Sequence, residues 1–261
     1  MPLDRTRALL LDIDGVLYVG GRPIEGAVDA VARLRAIGLP MRFVTNTTSR
    51  SRAATLARLR DLGFDVAEHE LLTPVVLARR ICEARGHRRV ALLVAAGTEE
   101  DFAGLEPVAP GEPADAVIVG DLGDAWTYAA LNGAFRLVMD GADLIALQRN
   151  RFWMREDGLS LDAGPFVAAL EYATGRSATV AGKPSPAFFE QALEDLGVAP
   201  GDALMVGDDI ESDVGGALAA GLQAVLVRTG KYRADVVARS GIEPTATVAS
   251  IAGVPDLLQA R

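Results

Sequence analysis

Short runs of consecutive apolar residues alternate along this chain with segments of helical spacing. Polar clusters follow several of the runs. Residues 8–11, Ala-Leu-Leu-Leu, are apolar at every position, which suits a strand buried on both faces, as in a parallel sheet. Similar runs predict strands over 41–44, 90–94, 116–119, 143–147, 203–206 and 224–227, and the apolar stretch 178–181 leads to Gly182-Lys183. Between them, Ala27, Val28, Val31, Leu34 and Ile37 repeat at helical spacing, and Gly38 ends that helix. Ser49 or Ser51 caps a helix that runs to Leu62 and stops at Gly63. A helix over 71–85 is expected to open at Thr73-Pro74. Further helices are predicted over 99–105, 125–139, 165–174, 186–196 and 214–220, with a last helical stretch over 234–239. Residues 19–23 read as a turn-rich connection. Residues 155–158, with Asp157-Gly158, read as the turn of a hairpin between 152–154 and 159–161.

Strand and helix alternate, so the fold class is α/β, with a doubly wound parallel sheet. Near Gly86 the pattern starts again and runs through a complete α/β unit to about Arg176. The first pattern then resumes. Residues 86–176 are therefore read as a second domain inserted into a core of 1–85 and 177–261. No repeat of fixed period occurs, and the G-x-G-x-x-G fingerprint of dinucleotide binding is absent.

Composition narrows the function. The 261 residues carry 35 acidic against 26 basic side chains, a net charge of −9. That argues against nucleic acid or an anionic membrane as the main partner. Cys82 is the single cysteine, which leaves no internal disulfide and no cysteine-based metal cluster. The first residues lack the apolar core of a signal peptide. No apolar run approaches the roughly 18 residues of a membrane span. A soluble, reducing, cytoplasmic setting is the expectation.

The chemistry lies where three strands end. Leu11 leads into Asp12 and Asp14, Val44 into Thr45 and Asn46, and Val206 into Asp208, Asp209 and Asp213. Lys183 stands before a helix in the same half of the chain. In an open parallel sheet, ligands bind outside the carboxyl ends of the strands. Several carboxylates there call for a hard divalent cation, and Mg²⁺ takes one or two carboxylates plus phosphate oxygens. A hydroxyl, backbone N–H groups and a lysine suit a phosphate. An aspartate beside Mg²⁺ and a lysine can attack phosphorus and form an aspartyl-phosphate. Each cluster alone is an ordinary turn or helix cap. Their order, each at a strand end or helix start, makes the set specific.

DIDGVL, the Thr-Asn pair after an apolar strand, GKPSP and GDDIESD resemble the four motifs of the haloacid dehalogenase-like phosphatase superfamily. The resemblance covers nearly the whole chain. The inserted segment is similar to the C2-type cap of the NagD-like subfamily. Residues 151–174 are closer still to the branch of phospholysine phosphohistidine inorganic pyrophosphate phosphatase. This resemblance implies a Rossmannoid core and a Mg²⁺-dependent phosphatase. It makes Asp12 the nucleophile and Asp14 the general acid/base, whose backbone carbonyl also meets Mg²⁺. Thr45 and Asn46 would hold phosphoryl oxygens, and Lys183 would neutralise nucleophile and phosphate. Asp12, Asp14 and Asp208 would contact the metal, with Asp209 and Asp213 supporting it. Asn150, Arg151 and Trp153, between a cap strand and the hairpin, are candidates for substrate selection. The expected partner is a small phosphorylated metabolite, and a homodimer stays open. Two other readings also stay open at this point: carbon–halogen cleavage, and a non-catalytic phosphate-binding module on the same fold.

Overall fold

A computed structural model describes residues 3–155 and 158–259. The chain opens with β1 (Ala8–Asp12), the short pair β2 (Tyr18–Val19) and β3 (Arg22–Pro23), α1 (Ala27–Ala36), β4 (Met41–Val44), α2 (Arg52–Asp61) and β5 (Leu71–Leu72). It continues through α3 (Pro74–Arg85), β6 (Arg89–Leu93), β7 (Glu106–Pro107), β8 (Ala116–Val119), α4 (Tyr128–Met139) and β9 (Asp143–Ala146). Then come the hairpin strands β10 (Phe152–Arg155) and β11 (Gly158–Leu161), followed by α5 (Ala163–Thr174) and β12 (Thr179–Val180). The last part holds α6 (Pro186–Leu196), β13 (Ala203–Gly207), α7 (Gly216–Ala219), β14 (Gln223–Val227), α8 (Ala234–Ser240), β15 (Ala246–Val248) and α9 (Val254–Gln259).

Contacts divide the chain into two compact units. One comprises Met1–Thr45, Thr55–Leu72 and Lys183–Arg261. The other comprises Asn46–Ala54 and Thr73–Gly182, and so takes in α3. The first unit is built on a six-stranded sheet in the order β15-β14-β13-β1-β4-β5, parallel at every pairing. From β1 the chain adds strands on one side through β4 and β5. It later adds β13, β14 and β15 on the other. The order therefore reverses between β1 and β13, and this switch point is where open α/β sheets leave a crevice. All five residues of β1 are buried, as its continuous apolar run requires. Leu9, Leu11, Phe43, Leu204, Val206 and Val225 join one core. The second unit has its own five-stranded parallel sheet, β12-β9-β8-β6-β7. Val117, Val119, Val138, Leu144, Val167 and Leu170 form its core.

The doubly wound parallel α/β class is as the hydrophobic pattern predicts. Several local features differ, each for a visible reason. Leu71 and Leu72 do not begin a helix. They form β5, with Leu71 opposite Phe43, and the helix starts only at Pro74. A residue before proline is pushed away from the α region, so Thr73 separates the two elements. Residues 19–23 make a small hairpin rather than a plain connection. Gly20 and Gly21 sit at φ 55° and 82°, the double left-handed geometry that a two-residue hairpin turn needs. The helix expected from 125 begins at Tyr128, because the Thr127 hydroxyl caps it by accepting from the Ala130 N–H at 3.1 Å. Past α8 the tail contains β15 and α9, which the sequence pattern did not yield. The hairpin strands pair as expected, Trp153 opposite Ser160, and turn positions 156–157 lie outside the described residues.

One polar link fastens α1 to the segment before β5. Glu70 is buried at 7% exposure and accepts from both terminal nitrogens of Arg35 at 2.8 and 2.9 Å, and from the Ala67 N–H at 2.8 Å. Burial alone would raise its pKa. The Arg35 guanidinium and the Ala67 N–H outweigh burial and hold the carboxyl below its ordinary range. A lowered folded-state pKa stabilises above the unfolded pKa and loses that contribution as pH falls through the folded one. Replacement Glu70→Gln is expected to cost about 1–2 kcal/mol at neutral pH, a charged hydrogen bond discounted because Arg35 is one-third exposed. In urea titrations the gap between wild type and variant should close as pH drops below the ordinary carboxylate range.

Candidate active site

The site is built from the residue that ends β1. Asp12 is 6% exposed and lies opposite Val44 of β4. Its neighbour Leu11 lies opposite Val206 of β13. The Lys183 ammonium, 2% exposed, donates to Asp12 Oδ1 at 2.5 Å and pairs with Asp213 Oδ1 at 2.7 Å. Lys183 stands three residues ahead of α6. Pro184 and Phe189 pack so closely on Gly216 that a Cβ there would lie 2.8 Å from each. That contact ties the lysine segment to the chain that carries Asp213.

After β13 the chain forms a π-helical turn, Ile210–Gly215, before α7. This replaces the plain helix expected over 214–220. Asp209 organises the turn. Its Oδ1 accepts from the N–H groups of Glu211 and Ser212, each at 3.0 Å, and its carbonyl accepts from those of Asp213 and Val214. Asp213 Oδ2 in turn accepts from the Asp208 and Asp209 N–H groups at 3.2 and 3.1 Å. A Cβ on Gly207 would lie 2.3 Å from the Asp213 Cβ, so only glycine fits where β13 ends.

Asp208 is enclosed by backbone. Its Oδ2 accepts from the Lys231 N–H at 2.6 Å. Gly15 and Gly230 both take positive φ, 88° and 58°, and a Cβ on either would fall 1.9 Å from that oxygen. Thr229 Oγ1 donates to the Gly15 carbonyl at 2.5 Å, and the Gly15 N–H donates to the Tyr18 carbonyl at 2.9 Å. The loop after β14 and the turn after β1 thus close on one carboxylate.

Asp12, Asp208 and Asp213 each offer an oxygen within 4.8 Å of the others, all three residues being buried. Burial is the main cause that pushes the Asp208 carboxyl up to about 7, with Asp213 adding to it and the Lys231 N–H opposing. Burial also drives Asp12 well above its ordinary value, helped by Asp213 and Asp208 against Lys183. For Lys183 burial acts downward, but Asp12 and Asp213 outweigh it and hold the ammonium above its ordinary range. Burial would raise Asp209, yet Lys231 and the two N–H groups keep it low. Four carboxylates, those of Asp12, Asp208, Asp209 and Asp213, face the ammonium groups of Lys183 and Lys231. The carboxylates outnumber the ammonium groups, an acidic excess that a divalent cation would offset. Oxygen donors around such a charge fit Mg²⁺ and not a soft metal.

The other expected residues are spread more widely. Asp14 lies half-buried just past Asp12, and its backbone pairs with Tyr18. Thr45 follows β4 directly, is buried, and donates its N–H to the Leu72 carbonyl at 3.3 Å. Asn46 falls in the second compact unit, where a Cβ on Gly182 would lie 2.7 Å from its Oδ1. In that unit the Asn150 N–H donates to the Gln148 side chain and its carbonyl accepts from Gly164. Arg151 is exposed. Trp153 borders a cavity of about 220 Å³ beside Trp126 and Phe166, whose rings stack at 4.1 Å.

Lys231, Gly230 and Thr229 were not singled out in the sequence. Their signal is position: Thr-Gly-Lys comes one residue after the apolar run 224–227, as Asp208 comes one residue after its own.

Residues 9–106 match the family model described as haloacid dehalogenase-like hydrolase. Residues 180–254 match a HAD-hydrolase-like model. The phospholysine phosphohistidine inorganic pyrophosphate phosphatase of Homo sapiens is 41% identical over 258 residues, covering 97% of this chain and 94% of that protein. A p-nitrophenyl phosphatase from Archaeoglobus fulgidus superposes with a TM-score of 0.90 at 32% identity, over 97% of this chain and 99% of its own. A glycerol phosphate phosphatase from Mycobacterium tuberculosis, solved in complex with magnesium, gives 0.86 at 31% identity, over 98% and 79%. By motif, by sequence relatives and by fold, the chain belongs to the haloacid dehalogenase-like hydrolase family.

Proposed function

We propose that this phosphatase of the haloacid dehalogenase-like family hydrolyses small phosphate monoesters, or a phosphoramidate or pyrophosphate, through an aspartyl-phosphate with Mg²⁺. The observation that carries the reading is the buried Lys183 ammonium clamped between Asp12 and Asp213 with Asp208 alongside. A lysine there holds the nucleophile in a fixed rotamer and offsets charge when a phosphate dianion approaches. Asp12 and Asp208, with the Asp14 carbonyl, would hold Mg²⁺, and Asp213 and Asp209 would orient them. The cation supplies charge neutralisation at the phosphoryl oxygens when bound. Magnesium in the mycobacterial relative supports this assignment.

In the first step an Asp12 oxygen attacks phosphorus, and the leaving oxygen departs with a proton from Asp14. Asp14 then takes a proton from the water that attacks the phosphoenzyme, and phosphate leaves with Asp12 restored. Thr45 and Asn46 bind phosphoryl oxygens. We read residues 86–176 as a cap that shields the reaction from bulk water and selects the substrate through Asn150, Arg151 and Trp153. Carbon–halogen cleavage is disfavoured because it needs neither a second acid nor Mg²⁺.

Turnover of p-nitrophenyl phosphate should stop with EDTA and return with added Mg²⁺. Full activity in metal-free buffer would sink the reading. Gly15→Ala should abolish turnover while the protein remains folded by circular dichroism, because its Cβ would occupy the place of Asp208 Oδ2. Asp12→Asn should fail with every substrate. Asp14→Asn should behave differently, because a good leaving group needs little protonation. General acid–base help is worth about 10²–10⁴-fold. Single-turnover rates for this variant should therefore fall far more with an alkyl phosphate than with p-nitrophenyl phosphate. Phosphoenzyme should accumulate with the latter. Equal losses for both, with no trapped phosphoenzyme, would assign Asp14 to the metal or the fold instead.

A further inference from the structure

The two ammonium groups of the acidic cluster are held in opposite ways. Lys183 is 2% exposed and pinned between two carboxylates. The Lys231 side chain is 57% exposed and meets Asp209 Oδ2 at 3.4 Å, a separation typical of a loose surface pair. Asp209 does not need this pair for its position. Its other oxygen is already fixed by the Glu211 and Ser212 N–H groups. The anchoring role of residue 231 is carried by its backbone N–H, which holds Asp208 Oδ2 at 2.6 Å and would persist with any side chain but proline. What the side chain adds is one positive charge, within electrostatic reach of Asp209, Asp213, Asp12 and Asp208.

We infer that Lys231 is a charge-balancing and positioning residue that deliberately weakens divalent-cation binding at this site while its backbone orients Asp208. The inference rests on the Mg²⁺ reading above. A resident ammonium repels an incoming dication and competes with it for the same carboxylates. Without Lys231 the cluster would lose one of its two positive charges, and the cation would be held more tightly and exchange more slowly. The same positive charge leaves the cluster less hostile to a phosphate dianion.

The direction of the effect separates this role from a structural one. A residue that merely supports the site loses metal affinity when replaced. Lys231→Met keeps the stem and the N–H and removes the charge. A unit charge at such range near solvent shifts affinity by roughly three- to tenfold. Mg²⁺ titration by isothermal calorimetry on the full chain should therefore show Lys231→Met binding roughly three- to tenfold tighter than wild type. Lys231→Arg should match wild type. The difference should shrink in 1 M salt, where an exposed charge is screened within about 3 Å. Equal or weaker binding by Lys231→Met, with wild type binding normally, would overturn the inference and leave the phosphatase reading intact. Tighter binding by both variants would overturn it too, since charge would not be the cause. No Mg²⁺ binding by wild type would overturn the metal reading itself, and this inference with it.

Discussion

A buried ammonium between two buried carboxylates is the constraint on which the rest of the site depends. Lys183, Asp12 and Asp213 are each under 10% exposed, and burying any one of them alone would cost several kcal/mol. Together they are tolerated only while their geometry holds. The chain brings them from three distant places: the end of β1, the approach to α6 and the turn after β13. Each is fixed by backbone more than by side-chain choice. The parallel register sets Asp12, the crowded Gly216 contact sets Lys183, and two N–H groups set Asp213. Positional rigidity of this kind suits the nucleophilic role proposed for Asp12, since little reorganisation would then accompany attack.

Glycine does the complementary work of making room. At Gly15 and Gly230 a single methyl group would lie 1.9 Å from an Asp208 carboxylate oxygen, and at Gly207 it would lie 2.3 Å from the Asp213 Cβ. These carboxylates are therefore walled by main chain, where N–H groups can reach them and water is kept out. A site lined by side chains could not bring the Gly15 turn and the Lys231 N–H onto one oxygen. The cost is paid in positive φ at Gly15 and Gly230, which glycine alone adopts freely. The glycines beside the acidic motifs thus belong to the site as much as the aspartates do.

This physics also separates what the sequence discloses from what it hides. Strands buried on both faces are written as continuous apolar runs, so β1, β4, β8, β13 and β14 are legible within a residue or so at either end. Asp12 and Asp208 are legible because charge at the end of such runs is rare, and Lys183 and Asp213 through the GKPSP and GDDIESD stretches they stand in. Elements that draw on tertiary contact are not. β5 has two residues and exists because Phe43 and Val44 offer it a partner. The π-helical turn exists because Asp209 caps it through both its carboxylate and its carbonyl. Lys231 is a lysine like any exposed lysine until β14 delivers it to the same sheet edge. Asn46 follows Thr45 in sequence, yet its contacts group it with the second compact unit.

The two lysines show how one electrostatic field can serve two needs. A cluster acidic enough to capture a dication unaided would repel the phosphate that must join it. A cluster neutralised by fixed ammonium groups would bind phosphate and lose the metal. The arrangement here divides the compensation. One cation is buried and integral to the packing, and it pairs with Asp12. The other is exposed, loosely paired and held by its main chain, so its charge can be altered without dismantling the fold. The acidic excess that results suits the divalent ion proposed for the site. On the proposed reading, Lys183 fixes the geometry and the strength of the metal site is left to a residue on its rim.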